Sequence, residues 1–374
     1  MLRRILLFST IIATLAKLIL SLPAIRRRLD LWTSCLPTIR PHYAVKCNNL
    51  EGVLAELHRG GVGFDCASAD EVHRVLAIGA KPSDTIYANP CKSRDEMFKV
   101  KQHAIPYMTF DSKIEGIKIK EEQPGTKPIL RIFVDDKGGA RIPLNSKFGF
   151  HLKNIHELCD REPRFHTYGL AFHVGSDCTS LAAYQSAMET VKGFLDAFKY
   201  SPAAFTPELL DIGGGFSGSS ANDDFFRHQL APYIREQVKT LPFKRVIAEP
   251  GRFFAEESCT LQVPVIGKKR LPNGKQCITV NESVYGLFSG VLFDGFKPTF
   301  NCITRKPWAN CEQFTIFGRT CDSADKIAED VWLPNDIDDS DILEIKNIGA
   351  YSWVTASKFN GFPLPPVVIQ EFSS

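Results

Sequence analysis

Paired cysteines are missing from this 374-residue chain: its 11 cysteines are scattered, none stands in a CxxC pair, and none clusters with histidine at zinc spacing. An odd, dispersed set in a long chain excludes a disulfide scaffold and a structural zinc site. It fits thiols in a reducing compartment such as the cytoplasm. Low-complexity sequence is also missing. With 44% hydrophobic and 23% charged residues, and 26 Gly against 23 Pro, disorder and collagen-like repeats are excluded. A basic footprint for nucleic acid is absent once the charge is located. The net +3 arises because residues 1–28 carry Arg3, Arg4, Lys17, Arg26, Arg27 and Arg28 and no acid, which leaves the rest of the chain at −3.

At about 150 residues per domain, the length implies two domains. Residues 5–22 are apolar apart from a few hydroxyls and Lys17, with arginines on both sides. That is the pattern of a signal or anchor, but Lys17 is costly in a bilayer. The run reaches about 18 residues only if the lysine snorkels. A buried or amphipathic segment is therefore favoured, with membrane association as the minor reading. Residues 1–30 are set apart as an atypical apolar and basic N-terminal segment.

From residue 31 to 256, short apolar runs alternate with helical stretches. Eight runs read as strands: 43–46, 63–68, 85–90, 107–112, 129–134, 169–175, 209–214 and 246–251. Eight is the number that closes a TIM barrel; an open doubly wound sheet is the alternative, since periodicity alone does not show closure. Ser68 and Glu71 form a capping box, and 181–198 has helical spacing of its apolar residues. Seven of the eight runs end in polar or glycine-rich groups: Lys46, Asp65, Asn89, Asp111, His173, Gly213 to Gly215, and Glu249 with Arg252. In a barrel such ends converge on one mouth. Beyond residue 257 the runs 260–266, 276–280, 314–317 and 341–345 alternate as β-strands, so 257–374 reads as a β-rich second domain, sandwich- or barrel-like.

Each motif is ambiguous alone. Lys46 in Tyr43-Ala44-Val45-Lys46 can form an imine with a carbonyl group if partly desolvated, or can be a solvated strand end. Gly213-Gly214-Gly215 exposes backbone N–H groups to a phosphate, or is an ordinary loop; no Walker lysine follows it. In Glu249-Pro250-Gly251-Arg252, the acid can pair with a protonated pyridine nitrogen and the arginine can fork onto a phosphate. His173 can stack on an aromatic ring, Ser176 can bind phosphate, and Asp65 can orient a lysine. Cys321 can pass a proton, and Asp294 and Asp322 suit a cationic substrate.

Together, in this order, the motifs resemble the fold-type III pyridoxal-phosphate decarboxylases, and most closely the eukaryotic ornithine decarboxylases. The resemblance spans about residues 31–362. It implies an alanine-racemase-like TIM barrel that binds pyridoxal 5′-phosphate, a β-rich C-terminal domain, and decarboxylation of L-ornithine to putrescine, the first step of polyamine biosynthesis. It further implies that Lys46 carries the cofactor, that His173 stacks on its ring and that Glu249 binds the ring nitrogen. Ser176, Gly213, Gly214, Gly215, Pro250, Gly251, Arg252 and Tyr351 would surround the phosphate, with Asp65 and Arg131 supporting the lysine. In such a family the site is shared by a homodimer: Cys321 would protonate the carbanion, Phe293, Asp294 and Asp322 would bind the distal ammonium, and Lys147 and Asp325 would bridge subunits. The alternatives are a decarboxylase for another diamino acid such as lysine, and a non-catalytic relative resembling antizyme inhibitor; antizyme is accordingly a candidate partner.

The resemblance also implies an N-terminal strand belonging to the second domain. Residues 1–28 show no sign of it, which predicts an open sheet edge there.

Thiol chemistry tests the redox reading. Denatured, unreduced protein should titrate at 11 thiols per chain with a thiol reagent; a shortfall of two or more would reveal a disulfide.

Overall fold

The computed structural model describes residues 15–372 except 136, 145, 159–165, 202–203 and 306–309. The chain divides into two compact units, Ile25–Phe254 and the combination of Met1–Ala24 with Ala255–Ser374. The first strand, β1 (Lys17–Ser21), belongs to the latter.

The Ile25–Phe254 unit is a closed parallel barrel. Its strands are β2 (Arg40–Ala44), β3 (Gly63–Cys66), β4 (Thr85–Tyr87), β5 (Tyr107–Phe110) and β6 (Lys127–Arg131). After the short β7 (Ala140–Ile142) comes β8 (His166–Ala171), and β9 (Ser176–Cys178) pairs with β7 outside the barrel. Then β10 (Ala204–Asp211) and β11 (Arg245–Ala248) close the circle back to β2. All eight apolar runs of the sequence are barrel strands. Lining strands of this kind are short and almost wholly buried, because helices cover one face and side chains fill the other. Ile86, Tyr107, Ile129, Ala171, Leu209 and Ile247 form that filling.

A repeated device starts the covering helices. Ser68, Ser93 and Ser112 each accept a hydrogen bond from the backbone N–H three residues on, at Glu71, Glu96 and Glu115. An S-x-x-E box satisfies the orphan N–H groups of a helix start. It stops each strand cleanly, so the strand ends share one rim.

The other unit is a mixed sheet. Its spine is β12 (Cys259–Arg270), with β13 (Gln276–Val280), β14 (Asn301–Cys302), β15 (Cys311–Phe317), β16 (Lys326–Pro334), β17 (Ile342–Ile345) and β18 (Val367–Gln370). A register break between Val265 and Gly267 lets the first half of β12 pair with β1 and β17 and the second half with β13.

Here the expectation for residues 1–28 is overturned. β1 lies between β12, which it pairs with antiparallel, and β18, parallel to it. The expected open edge is filled. Leu18 and Leu20 are buried and Lys17 is exposed, a period-two pattern that a longer apolar run conceals. Nor do the arginines stand apart. Helix Leu22–Cys35 follows, and its Arg28 is buried over the Phe253 ring at 4.0 Å, donating to Phe253 O (2.9 Å) and pairing with Asp223 (2.5 Å). Arg26 pairs with Glu56 at 2.6 Å. Among the described residues no helix is long and apolar enough to cross a membrane; residues 1–14, most of the anchor candidate, lie outside the described ones.

Since β1 is structural, Leu20→Ala should cost about 3 kcal/mol in urea denaturation, as for a filled core site. Lys17→Ala, at an exposed position, should stay within about 0.5 kcal/mol. Equal small effects would refute the packing role of β1.

Candidate active site

Parallel strands bring the sequence-predicted groups to the rim at their C-terminal ends. Lys46 stands in the turn Val45–Cys47 just after β2, Asp65 within β3, Arg131 at the end of β6, and His173 two residues past β8. Asp211 ends β10 and Glu249 follows β11. Lys46 Nζ meets Asp65 Oδ2 at 2.5 Å; the lysine is half exposed and the aspartate wholly buried.

Three carboxylates, Asp65, Asp211 and Glu249, are buried here. Arg131, its guanidinium 4.7 Å from the Phe148 ring, faces all three and Asp111 as well. The cations are too few to hold every acid ionised. Burial, then the Asp211 and Asp65 charges, push the Glu249 carboxyl well above its ordinary value. Burial also pushes Asp211 up, to about 7, although Glu249 and the Gly213 N–H bond to it. Burial and mutual repulsion thus favour a single proton shared by the pair. Glu249 Oε1, Asp211 Oδ2 and Asp65 Oδ1 have no hydrogen-bond partner.

His173 is held neutral, because burial and the Arg131 and Lys46 charges lower its pKa well below the usual range. Its Nδ1 accepts the Gly175 N–H at 3.0 Å, so the proton sits on Nε2. The result is a flat, uncharged ring fixed at the rim.

The glycine run cannot be replaced by larger residues. Gly213 has φ of +65°, and a Cβ there would lie 1.9 Å from Phe172 O. One on Gly214 would press on the His173 ring and Glu249 O. Alongside, Arg252 is buried and its guanidinium reaches Ser176 Oγ at 3.3–3.4 Å. Gly251 packs against Ala44 and Cys47. A buried arginine, a hydroxyl and bare backbone make an anion cradle.

These features fit pyridoxal phosphate. An unpartnered buried acceptor with a raised pKa suits a protonated pyridine nitrogen, the neutral imidazole suits a ring face, and the cradle suits a phosphate. The unpaired Glu249 oxygen is the most specific of these observations.

The remaining predicted residues, apart from Lys147 and Pro250, belong to the β-rich unit. Cys321 is exposed, its Sγ 3.5 Å from Asn360 Oδ1. Asp322 accepts the Tyr285 hydroxyl at 2.5 Å and the Ala324 N–H at 2.9 Å, which lower its pKa. Asp294 is buried after the short helix Gly290–Phe293, whereas Phe293 is exposed. Tyr351 adopts φ of +52°, left-handed backbone that is uncommon for a tyrosine. Asp325 is buried inside its own loop, accepting from Val284 N, Thr320 N and Thr320 Oγ1 at 2.7–3.0 Å. Lys147, in the barrel unit, is exposed with its ammonium 5.1 Å from the Phe148 ring.

Sequence reasoning missed Asp211 as the partner of Glu249, and missed Tyr285 and Asn360 beside Asp322 and Cys321. Asp211 closes the strand before the glycines, a position that could have flagged it. The other two lie 37 and 39 residues from their partners and leave no local signal.

Among known proteins, the family model "Pyridoxal-dependent decarboxylase, pyridoxal binding domain" matches residues 22–256. The probable ornithine decarboxylase of Dictyostelium discoideum is 37% identical over 90% of this chain and 75% of its own. The ornithine decarboxylase of Schizosaccharomyces pombe is 37% identical over 93% and 81%. Antizyme inhibitor 2 of Xenopus laevis is 35% identical over 89% and 76%. Of solved structures, the arginine decarboxylase of Paramecium bursaria Chlorella virus aligns with a TM-score of 0.87 and 35% identity, covering 96% of this chain and 97% of that one.

The crowded carboxylates make a pH prediction. A carboxyl with a raised folded-state pKa binds more protons folded than unfolded, so its contribution to stability falls as pH rises through that window. In cofactor-free protein, Glu249→Gln should gain on wild type by about 1 kcal/mol or more between pH 5 and 8. Thermal melts across that range check it; a gap constant with pH would contradict the shared proton.

Proposed function

Because the chain belongs to the pyridoxal-dependent decarboxylase family, in the group that contains the ornithine decarboxylases, we propose that it decarboxylates L-ornithine to putrescine and carbon dioxide. It is a pyridoxal-phosphate-dependent amino-acid decarboxylase. The observation that carries the reading is the unpartnered Glu249 oxygen, buried at the rim where Asp65 holds Lys46.

Bound pyridoxal phosphate supplies the sink for the electron pair left on Cα when carbon dioxide departs. Lys46 would hold the cofactor covalently, and Asp65 would accept from its ammonium whenever the lysine is free. Glu249 would accept from the protonated ring nitrogen with its unpartnered oxygen and so keep the ring protonated, with Asp211 beside it. His173 covers one ring face, which excludes water from that side. Ser176, Gly213, Gly214, Gly215 and Arg252 would hold the phosphate. Cys321 would return a proton to Cα and be reprotonated by solvent, so that hydrogen replaces the substrate carboxylate.

Asp322 and Asp294 select the substrate. Two carboxylates attract a distal ammonium and repel the distal carboxylate of diaminopimelate. The enzyme acts as a homodimer in which Cys321 and Asp322 serve the partner's barrel, with Lys147 and Asp325 at the subunit boundary. Thiols at all ten described cysteines suit a reducing, cytoplasmic setting. The likeness to antizyme inhibitor 2 favours a second reading, a protein-binding relative that also engages antizyme. Retention of Lys46, Asp65, Glu249, Arg252, Asp294 and Cys321 favours the enzyme.

Borohydride should fix the cofactor onto the Lys46 peptide of the holoenzyme and not onto Lys46→Arg. Ornithine should exceed lysine in kcat/KM by about tenfold or more, the discrimination one methylene permits. Cys321→Ala should lower putrescine formation by about 10²–10⁴-fold, as for a lost general acid. No fixed cofactor would sink the enzyme reading, and preference for lysine would sink the substrate.

A further inference from the structure

The rim opposite the candidate active site holds a cavity of ≈ 380 Å³. It is built from the N-terminal starts of the barrel strands: Arg40 and His42 of β2, Ile86 of β4, Tyr107 of β5, and Arg245 and Ile247 of β11. That volume falls in the range of small-molecule sites.

The lining has one sign of charge. Arg40, Lys239, Lys244 and Arg245 border the cavity and no carboxylate does. Three acids stand behind them. Asp84 pairs with Arg40 at 2.7 Å and Glu236 with Lys239 at 2.8 Å. Glu208 is taken up mainly by Lys127, at 2.8 Å, and reaches Arg245 only at 4.0 Å. Lys244 makes no ion pair among the described residues. Five cations against three acids leave two positive charges, at Lys244 and Arg245.

The deeper wall is different. Ile86, Leu209 and Ile247 present buried apolar surface, and His42 is buried among them with Nδ1 lacking any hydrogen-bond partner. Desolvation and the Arg40 charge lower the His42 pKa to about 4, so its ring is neutral at physiological pH. Tyr107 carries a hydroxyl already engaged by Glu208 and Arg245. Barrel floors are packed shut by apolar side chains in the ordinary case. Here an apolar pocket with a charged lip remains open, and His42, buried in its wall, keeps an imidazole nitrogen unpaired.

We propose that this floor cavity binds an organic phosphate monoester, with the dianionic head on Lys244 and Arg245 and an apolar or aromatic body against Ile86, Leu209 and Ile247. A dianion matches the excess of two charges, and phosphate offers enough acceptor oxygens for both cations at once. The cationic substrate and product of the proposed reaction are repelled by the same lip, so the site is independent of the barrel mouth.

The test uses holoenzyme, in which cofactor already fills the phosphate cradle at the mouth. Calorimetric titration with phenyl phosphate should show one saturable site per chain. Benzoate and inorganic phosphate should each bind more weakly. Lys244→Gln, at an exposed position that leaves folding intact, should weaken phenyl phosphate severalfold, and the Lys244→Gln, Arg245→Gln pair by about tenfold or more. Decarboxylation should be unchanged in both variants. The proposal is overturned by no saturable binding, by unchanged affinity in the double variant, or by inorganic phosphate binding as tightly as phenyl phosphate. Tighter binding of benzoate would overturn the choice of phosphate.

Discussion

Everything at the barrel mouth answers to a shortage of positive charge. Asp65, Asp211 and Glu249 are buried within one rim, and the only cations they face there, among the described residues, are Lys46 and Arg131. Burying three anions against two cations is unfavourable unless one acid takes a proton or a further cation arrives. Without cofactor the raised carboxyl pKa values favour the first solution, a proton held between Glu249 and Asp211. A protonated pyridine ring placed against Glu249, as proposed, would supply the second. Cofactor affinity and electron-withdrawing power then have one origin, since the group that completes the charge balance is the group whose nitrogen must stay protonated.

The two units hold their reactive groups by different means. In the barrel unit, backbone geometry decides: strand ends fix the positions, and close approaches at Gly213 and Gly214 leave no room for side chains. In the β-rich unit, side chains on loops do the fixing. Asp325 gathers Val284 and Thr320, Glu282 accepts from Ser283 and lies 3.8 Å from Arg319, and Tyr285 holds Asp322. Cys321 rides on that braced loop while its thiol stays exposed, as the proposed proton donor would require.

Much of this was legible in the sequence because a parallel barrel writes itself plainly. Strands buried on both faces become short apolar runs, and S-x-x-E boxes mark where helices begin. The candidate site groups fall at or just beyond the ends of most of these runs. The mixed sheet is written less clearly. β16 (Lys326–Pro334) carries Glu329, Asp330 and the exposed Trp332, so its alternation is blurred. β1 vanished into a longer apolar stretch, and the arginines after it looked like a membrane flank although Arg28 is buried in an ion pair. The Glu249–Asp211 pairing depends on two strands meeting across 38 residues, which composition and spacing do not encode.

The placement of β1 bears on how the protein is made. Strand Lys17–Ser21 must sit between Cys259–Gln262 and Val367–Gln370, so its two neighbours are synthesised some 240 and 350 residues later. A ribosome can release a finished barrel while Leu18 and Leu20 still wait in water for their sheet. Through most of translation the N-terminal strand is thus an unpaired apolar edge, and chaperone protection of the nascent chain would matter most there.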